Sequence, residues 1–588
     1  MTENALGTHR TLPELFHFFK KILGPERKFY ALAIIYGIGI SVLSLATPIS
    51  VQMLVNSIVN TGLTTPLIVL SVTLFTLLMF SGLLYALRTH LVDVFGRRFY
   101  ARMVSEISLR SIYALNPFFD DHSTGPLFNR YFDIIVVMKR IPYLLVGGFS
   151  ILLQAAVGFA LTSLYHPAFL AFNLVLIVLI WVVWLVWGRA AIKSAMRLSH
   201  KKHATGAWLE SLGSSNGFFK TQRHIRDALQ RTDAVTADYM AEHVRHFRHH
   251  FTQTIAFLTI YALASASLLG LGGYLVIQGE LTIGQLVAAE LVLSVVFFGV
   301  SQLGTYMTYF YDLCAAIEEL SLFYEIEQED FSGTDEKLEG GSDLALVNAR
   351  GQTRGNTTTL NFEIPGGSRV LACTASHSLQ RMFTNFMKRH DVPQSGYIAV
   401  GGHDTKSIQA HALRHEIIVL DRPTVIEITI REYLRLSADK VTANQVLDTL
   451  KAVDLADTVA QLKEGLDTPI AVTGWPLSIT ETLRLKLAAA LIARPRILVI
   501  GPLYDVLPGH TVHAALDVLQ KSASVTVIHF SLRPEDNEYD HFLYLGQNRQ
   551  RVFTDYAQFN AHIDRHVNEV DDRPEHLRST DKRKDEGQ

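Results

Sequence analysis

The stretch VLACTASHSLQRMFTNF, residues 370–386, reads as a strand, a short loop and a helix with an apolar stripe. A loop in that setting cradles phosphates when glycines let backbone N–H groups come close. It also needs a lysine for the β/γ-phosphates and a Ser or Thr for Mg²⁺. This stretch contains no glycine and no lysine. A second candidate is Glu290, inside the apolar run QLVAAELVLSVVFF (285–298). A carboxylate at membrane depth is costly and marks a functional position by default. It would line a cavity, bind a cationic substrate or carry a proton, unless it sits in a water-filled outer vestibule. A third is EHVRHFRHH (242–250), with four histidines that titrate near neutrality. It reads first as a solvated stalk helix, with pH sensing as the alternative. Cys314 and Cys373 have no metal or redox spacing and read as small buried residues.

The elements that carry these residues fall into two parts. The chain has 588 residues, 49% hydrophobic and 18% charged, with a net charge of −2. The balance of charge gives no reason to expect a nucleic-acid partner. Up to about residue 310 the chain holds long apolar runs; after about 330 it reads like a soluble protein. Six segments reach the roughly 20 apolar residues that a membrane-spanning helix requires. They lie near 30–55, 66–90, 143–165, 167–188, 252–277 and 283–309. The links NSIVNTGLTT (56–65), YHPA (165–168) and QGEL (278–281) are short and carry one Glu between them. The other connections are long and basic, with Arg97, Arg98, Arg102 and Arg110 after the second span. Arg189, Lys193, Arg197, Lys201 and Lys202 follow the fourth. Excess Lys and Arg mark the cytoplasmic side. Both termini are therefore expected in the cytoplasm, with two long helical excursions, 91–142 and 189–251, on the same side.

The resulting division is a cytoplasmic N-terminus (1–29), a six-span domain (30–325), a linker (326–342), a soluble domain (343–563) and a tail (564–588). FHFFKKILGPERKF (16–29) reads as a short interfacial helix or as the start of the first span. The tail is mixed in charge and nearly free of apolar residues, the composition of a disordered segment. In the soluble domain, TLNFEIPGGSRVLAC places strands around Pro365-Gly366-Gly367. Residues 395–423 read strand, turn, short helix, strand, and 477–507 read as a helix followed by a buried strand. SVTVIHFS (524–531) is a further strand. Alternating strands and helices predict a parallel α/β sheet. The fold class is thus a six-helix all-α membrane domain followed by a soluble α/β domain.

This organisation resembles one half of an ABC exporter of the type I fold. FFDDHSTGPLFNRYFDI (118–134) is similar to the family's first coupling loop, with Phe119, Asp120, Gly125, Leu127, Asn129 and Arg130 matching. GAWLESLGSSNGFFK (206–220), with Trp208 and Glu210, resembles the second excursion of a secretion-type subgroup, as does GGYLVIQGELTIGQLVAAELVLS (272–294) for its last two spans. The resemblance implies that these excursions transmit motion between a nucleotide domain and the spans. It also implies a dimer in the bilayer, here of the bacterial inner membrane. The partner would be a second copy or another ABC half-transporter, with an export apparatus as a further partner.

Residues 343–560 resemble an ABC ATPase in scaffold and depart from it in chemistry. In that register Thr374, His377 and Leu379 stand at glycine positions, Gln380 at the lysine and Arg381 at the Mg²⁺-binding hydroxyl. Side chains at glycine positions restrict the loop and block the phosphates. Gly501 and Pro502 stand where the magnesium strand carries its acidic pair. Asp421 replaces the glutamine of the glutamine loop, and LSITE (477–481) keeps only Leu477 and Ser478 of the signature. Phe530 replaces the switch histidine, with His529 one residue early. No aromatic residue between Leu344 and Asn361 offers a platform for adenine. His377, Asp421, Asp505 and His529 fall at loops that converge in the ABC fold; they read first as surface or core polar residues, with a metal site as the alternative. Phosphoryl transfer depends on positioning and charge stabilisation. The expectation is a pseudo-ATPase with neither ATP nor Mg²⁺ as cofactor. A gradient-driven transporter using Glu290, and a scaffold that transports nothing, are the alternatives.

Overall fold

The computed structural model describes residues 12–60, 64–115, 125–334, 340–353, 356–374, 376–522, 524–532, 538–547 and 549–566. The chain divides into two compact units, Met1–Gln328 and Glu329–Gln588.

The first unit is helical. Among the described residues, six helical segments are long and apolar enough to cross a membrane. Their outward faces are apolar: Val69, Val72, Phe75 and Met79 are all more than half exposed. That pattern fits a lipid solvent and not water. The first span, read as one helix over 30–55, is two helices, Arg27–Leu43 and Ala46–Asn60. Pro48 lies in the first turn of the second helix, where its missing N–H costs nothing, so the break falls just before it. Ahead of them, helix Leu12–Leu23 buries Leu15 and Ile22 and holds Lys21 4.8 Å from the Tyr324 ring.

The two excursions extend apolar helices rather than standing alone. Helix Thr64–Ile112 contains the second span and continues past it. Residues 116–124 lie outside the described part of the chain, and the return begins as a 3₁₀ run, Gly125–Phe132. The excursion 91–142 is therefore not α-helical throughout. The second excursion is the end of helix Pro167–Ser214, a turn, and the start of helix Gln222–Ile277. Helix Ile283–Ser321 is the sixth.

The third span opens irregularly. Helix Asp133–Pro142 passes into a π-helical turn, Tyr143–Gly148, before helix Phe149–Tyr165. A Cβ on Gly147 in that turn would collide with Tyr306 of helix Ile283–Ser321. A larger residue there would have to displace the Tyr306 ring, so glycine leaves that ring its place between the two helices.

The second unit holds two main sheets. A four-stranded sheet has the order β2-β1-β4-β5 (Asn356–Ile364, Leu344–Thr353, Ser395–Val400, His403–Asp404). It is antiparallel throughout. A six-stranded sheet has the order β12-β11-β3-β10-β9-β6 (Gln550–Phe553, His541–Leu545, Arg369–Thr374, Thr526–Phe530, Ile497–Ile500, Ile417–Leu420). Five of its strands run parallel, and β12 closes one edge antiparallel. The single parallel sheet expected from the sequence is thus joined by an antiparallel one. The strands flanking Pro365-Gly366-Gly367 belong to different sheets, because hydrogen bonds to Ser342 and Thr526 turn the chain at Gly367.

The segment read as a linker is divided between the units. Ile326 is buried in the first, whereas Glu329 accepts a two-pronged ion pair from Arg414 in the second, at 2.7 and 2.8 Å. The last helix, Tyr556–His566, passes the boundary placed at 563. The tail from 567 lies outside the described residues.

Candidate functional site

Strand β3 ends at Thr374, and the next helix, His377–Met387, begins only three residues later. The helix therefore starts three residues before Gln380, where the resemblance puts a phosphate-binding lysine. Its apolar stripe explains why. Leu379, Met382, Phe383, Phe386 and Met387 are buried against the sheet. Leu379 is 0% exposed and Gln380 only 6%. Both side chains are committed to the interior, so neither offers a surface to a phosphate. Thr374 Oγ1 accepts from Ser376 N–H at 3.3 Å, and the Ser376 and Ser378 hydroxyls pair at 2.7 Å. Arg381 is half-buried and His377 is exposed at the helix start.

The remaining positions are also occupied by internal contacts. Gly501 N–H donates to the Leu420 carbonyl at 2.8 Å, and Pro502 opens a 3₁₀ turn, Pro502–Val506. A Cβ at Gly501 would stand 3.2 Å from that carbonyl oxygen, so a longer side chain is crowded here. Asp421 pairs with Lys388 at 2.6 Å. Lys486 donates to the carbonyls of Arg422 (2.7 Å) and Thr424 (2.9 Å). Burial of Lys486 pushes its pKa below the ordinary lysine value. Two lysines thus fasten the segment that follows β6.

Ser478 caps helix Ile479–Ala493 in a reciprocal box with Glu481. Glu481 Oε2 accepts from both the Ser478 N–H and hydroxyl at 2.8 Å. A helix N-terminus attracts anions; here the chain's own carboxylate already stands there. Phe530 is fully buried and packs on Phe383, whereas His529 points to the opposite face of β10. His529 Nδ1 meets the Tyr539 hydroxyl at 2.7 Å, and Asp505 lies 3.6 Å from its Nε2. Of the four scattered polar residues considered, only Asp505 and His529 are placed together among the described contacts.

In the first unit, Asp120 lies outside the described residues. Gly125 begins the 3₁₀ run of the return. Asn129 donates to Glu210 at 2.8 Å and so ties the first excursion to the second. Trp208 Nε1 donates to Thr232 Oγ1 at 2.9 Å, and Arg231 covers the Trp208 ring at 4.6 Å. Arg130 points inward, its Nε 2.6 Å from Glu319. Glu290 is half-buried; Ser294 donates to its Oε1 at 3.4 Å, and its buried Oε2 accepts no hydrogen bond among the described residues.

The histidine stretch is not uniformly solvated. His243 is exposed, but His246 is buried and meets Ser194 Oγ at 2.9 Å. Burial, reinforced by His250, His243 and His249, lowers its pKa to about 4. His250 reaches Thr308 at 2.8 Å.

Sequence reasoning passed over Arg88. Its side chain is 1% exposed within the second span. It donates to Ser150 Oγ at 2.7 Å and to the Leu145 carbonyl in the π-helical turn. A π turn disturbs the regular backbone ladder, and the guanidinium supplies donors to it. The signal was available, since a lone cation in an apolar run marks a special position.

Three comparisons fit this architecture. Residues 30–213 match the family model of the ABC transporter transmembrane region. The leukotoxin translocation ATP-binding protein LktB of Mannheimia glucosida is 27% identical over 258 residues, 43% of this chain and 36% of that protein. LktB of Bibersteinia trehalosi matches over the same extent with the same identity. The chain thus spans about a third of the length of these curated relatives. The structure of a bacterial Atm1-family ABC exporter with ATP bound superposes with a TM-score of 0.77. It is 18% identical and covers 92% of this chain and 96% of its own. The chain therefore has the fold of an ABC exporter, and its N-terminal helices are similar to the ABC transporter transmembrane region over residues 30–213.

Proposed function

We propose that this protein works as an exporter-type membrane protein, moving a solute or peptide across the bacterial inner membrane as a dimer, with a soluble domain that does not hydrolyse ATP. The observation that carries the proposal is the burial of Leu379 and Gln380 in a helix that starts at His377. The relatives are named as ATP-binding proteins, and that name argues for nucleotide use. It is outweighed by the joint loss of glycines, lysine, acidic pair and signature, since no single neighbour replaces them all. The soluble domain then serves shape and dimerisation, and work done with ATP belongs to a partner ABC half-transporter. The relatives' named role in leukotoxin translocation supports a peptide or protein cargo. The basic excursions support placing both termini in the cytoplasm.

The test is phosphate release by the purified chain in proteoliposomes with Mg·ATP. The proposal expects a rate no higher than that of empty liposomes. Release abolished by Ser478→Ala and Gln380→Ala would contradict it.

Glu290 supports a second reading, in which an ion gradient drives transport. Its Oε2 is buried and lacks a hydrogen-bond partner among the described residues. That reading expects transport to stop with an uncoupler and in Glu290→Gln. Transport that survives both excludes it.

A further inference from the structure

Past the apolar parts of two membrane helices, one imidazole and two carboxylates converge. His200 comes from helix Pro167–Ser214, and Glu318 and Glu319 come from the end of helix Ile283–Ser321. His200 Nε2 lies 2.7 Å from Glu318 Oε2 and 3.8 Å from Glu319 Oε1. One donor atom from each residue falls within 4.8 Å of the other two. The side chains of Glu318 and Glu319 are 4% and 0% exposed. Glu319 Oε2 accepts from Arg130 Nε at 2.6 Å. Its Oε1 is buried and accepts no hydrogen bond among the described residues. A buried carboxylate oxygen with no donor carries the full cost of its lost water. This one stands beside an imidazole nitrogen and a second carboxylate.

We propose that His200 Nε2, Glu318 Oε2 and Glu319 Oε1 bind a divalent cation of the Zn²⁺ or Mn²⁺ class. One imidazole and two carboxylates form a donor set that such ions take. Metal–donor distances of about 2.0–2.2 Å place neighbouring donors roughly 3–3.5 Å apart. The two imidazole–carboxylate separations, 2.7 and 3.8 Å, bracket that spacing, and all three donors lie within 4.8 Å of one another, so side-chain movements of about 1 Å complete the site. Arg130 is a positioning residue: by holding Oε2 it turns Oε1 toward the other donors, as partners of ligating carboxylates do. His200 is 22% exposed, which leaves an entry path and room for a water as fourth ligand. Burial disfavours the imidazolium, but the Glu318 hydrogen bond and the two carboxylates raise the His200 pKa overall, so a cation binds there by displacing the proton on Nε2. The ion would fasten both helices to the 3₁₀ run Gly125–Phe132, through the Arg130–Glu319 pair.

The full chain, purified in detergent and stripped with a chelator, is titrated with Zn²⁺ against a competing chromophoric chelator. Bound zinc is then counted by mass spectrometry. We expect one tight ion per chain, lost in His200→Ala and in Glu318→Gln. Arg130→Gln should weaken it by about 10- to 100-fold. His411→Ala, in the other unit, should keep it. X-ray absorption of the wild-type complex, which needs no variant to fold, should show one imidazole among oxygen donors. The absence of tight zinc on the wild-type chain, with His200 carrying only a proton, overturns the proposal. So does zinc that survives both His200→Ala and Glu318→Gln, which would mark adventitious binding among the 24 histidines.

Discussion

Phe530 packs against Phe383 with ring centroids 5.5 Å apart, in the core of the soluble domain. The strand position that the resemblance aligns with a switch histidine is part of the hydrophobic interior. Phe383 lies on the helix that begins at His377, so one packing layer fills both the loop and the switch.

That layer sets the effect of restoring the switch. Phe530→His buries an imidazole with no partner among apolar side chains. It should cost roughly 2–4 kcal/mol of stability and give no phosphate release. The thermal midpoint of the soluble unit should fall. A stable Phe530→His protein with ATPase activity would show that the position still serves as a switch.

Restoring the lysine should be equally ineffective. Gln380→Lys adds a charge at a position 6% exposed, with no loop to present it. Mg·ATP binding should not appear in a thermal-shift assay. Leu379→Gly, which restores a glycine, removes a fully buried leucine from a helix. It should cost about 3–5 kcal/mol, seen as a large drop in thermal midpoint.

The membrane unit has its own internal strut. Arg88→Ala leaves the Ser150 hydroxyl and the Leu145 carbonyl without their donor and opens a cavity. The expected loss is about 2–4 kcal/mol, read as earlier unfolding in a detergent melt. An unchanged melt would show that the π-helical turn satisfies its own carbonyls.

His246 should make stability depend on acid. Its folded pKa, about 4, lies below the ordinary histidine value of 6.5. Between those values the unfolded chain binds the additional proton, so stability rises with pH. The contribution is fully present above 6.5 and is lost as pH falls toward 4, by up to about 3 kcal/mol. Melts between pH 7 and 4.5 should show this fall, and His246→Gln should flatten it. An equal slope in the variant would assign the effect to another group.

Much of this architecture is legible in the sequence because its signals are long-range averages. A run such as IVLSVTLFTLLMF can only be a span, and basic residues after it can only be a connection on one side. The strand and helix order of the soluble unit follows from the same patterns. Other features depend on what residues distant in sequence do together. Nothing in SHSLQRMF says that the helix starts at His377; that follows from Leu379 finding the sheet. The break before Pro48 was readable from the proline alone, but the π turn at Tyr143–Gly148 depends on Arg88 and Tyr306, far away along the chain. His200 and Glu318 stand 118 residues apart, so no local spacing announces their contact. His246 was hidden among neighbouring histidines because its burial depends on Ser194 of another helix.

The most direct measurement is a calorimetric titration of Mg·ATP into the purified, detergent-solubilised chain. A soluble unit whose loop and switch are packed core should give no binding heat at millimolar ATP, beyond dilution. Saturable binding at one site per chain, abolished by Gln380→Ala, would contradict that picture and make the chain a nucleotide-using exporter with an unusual site.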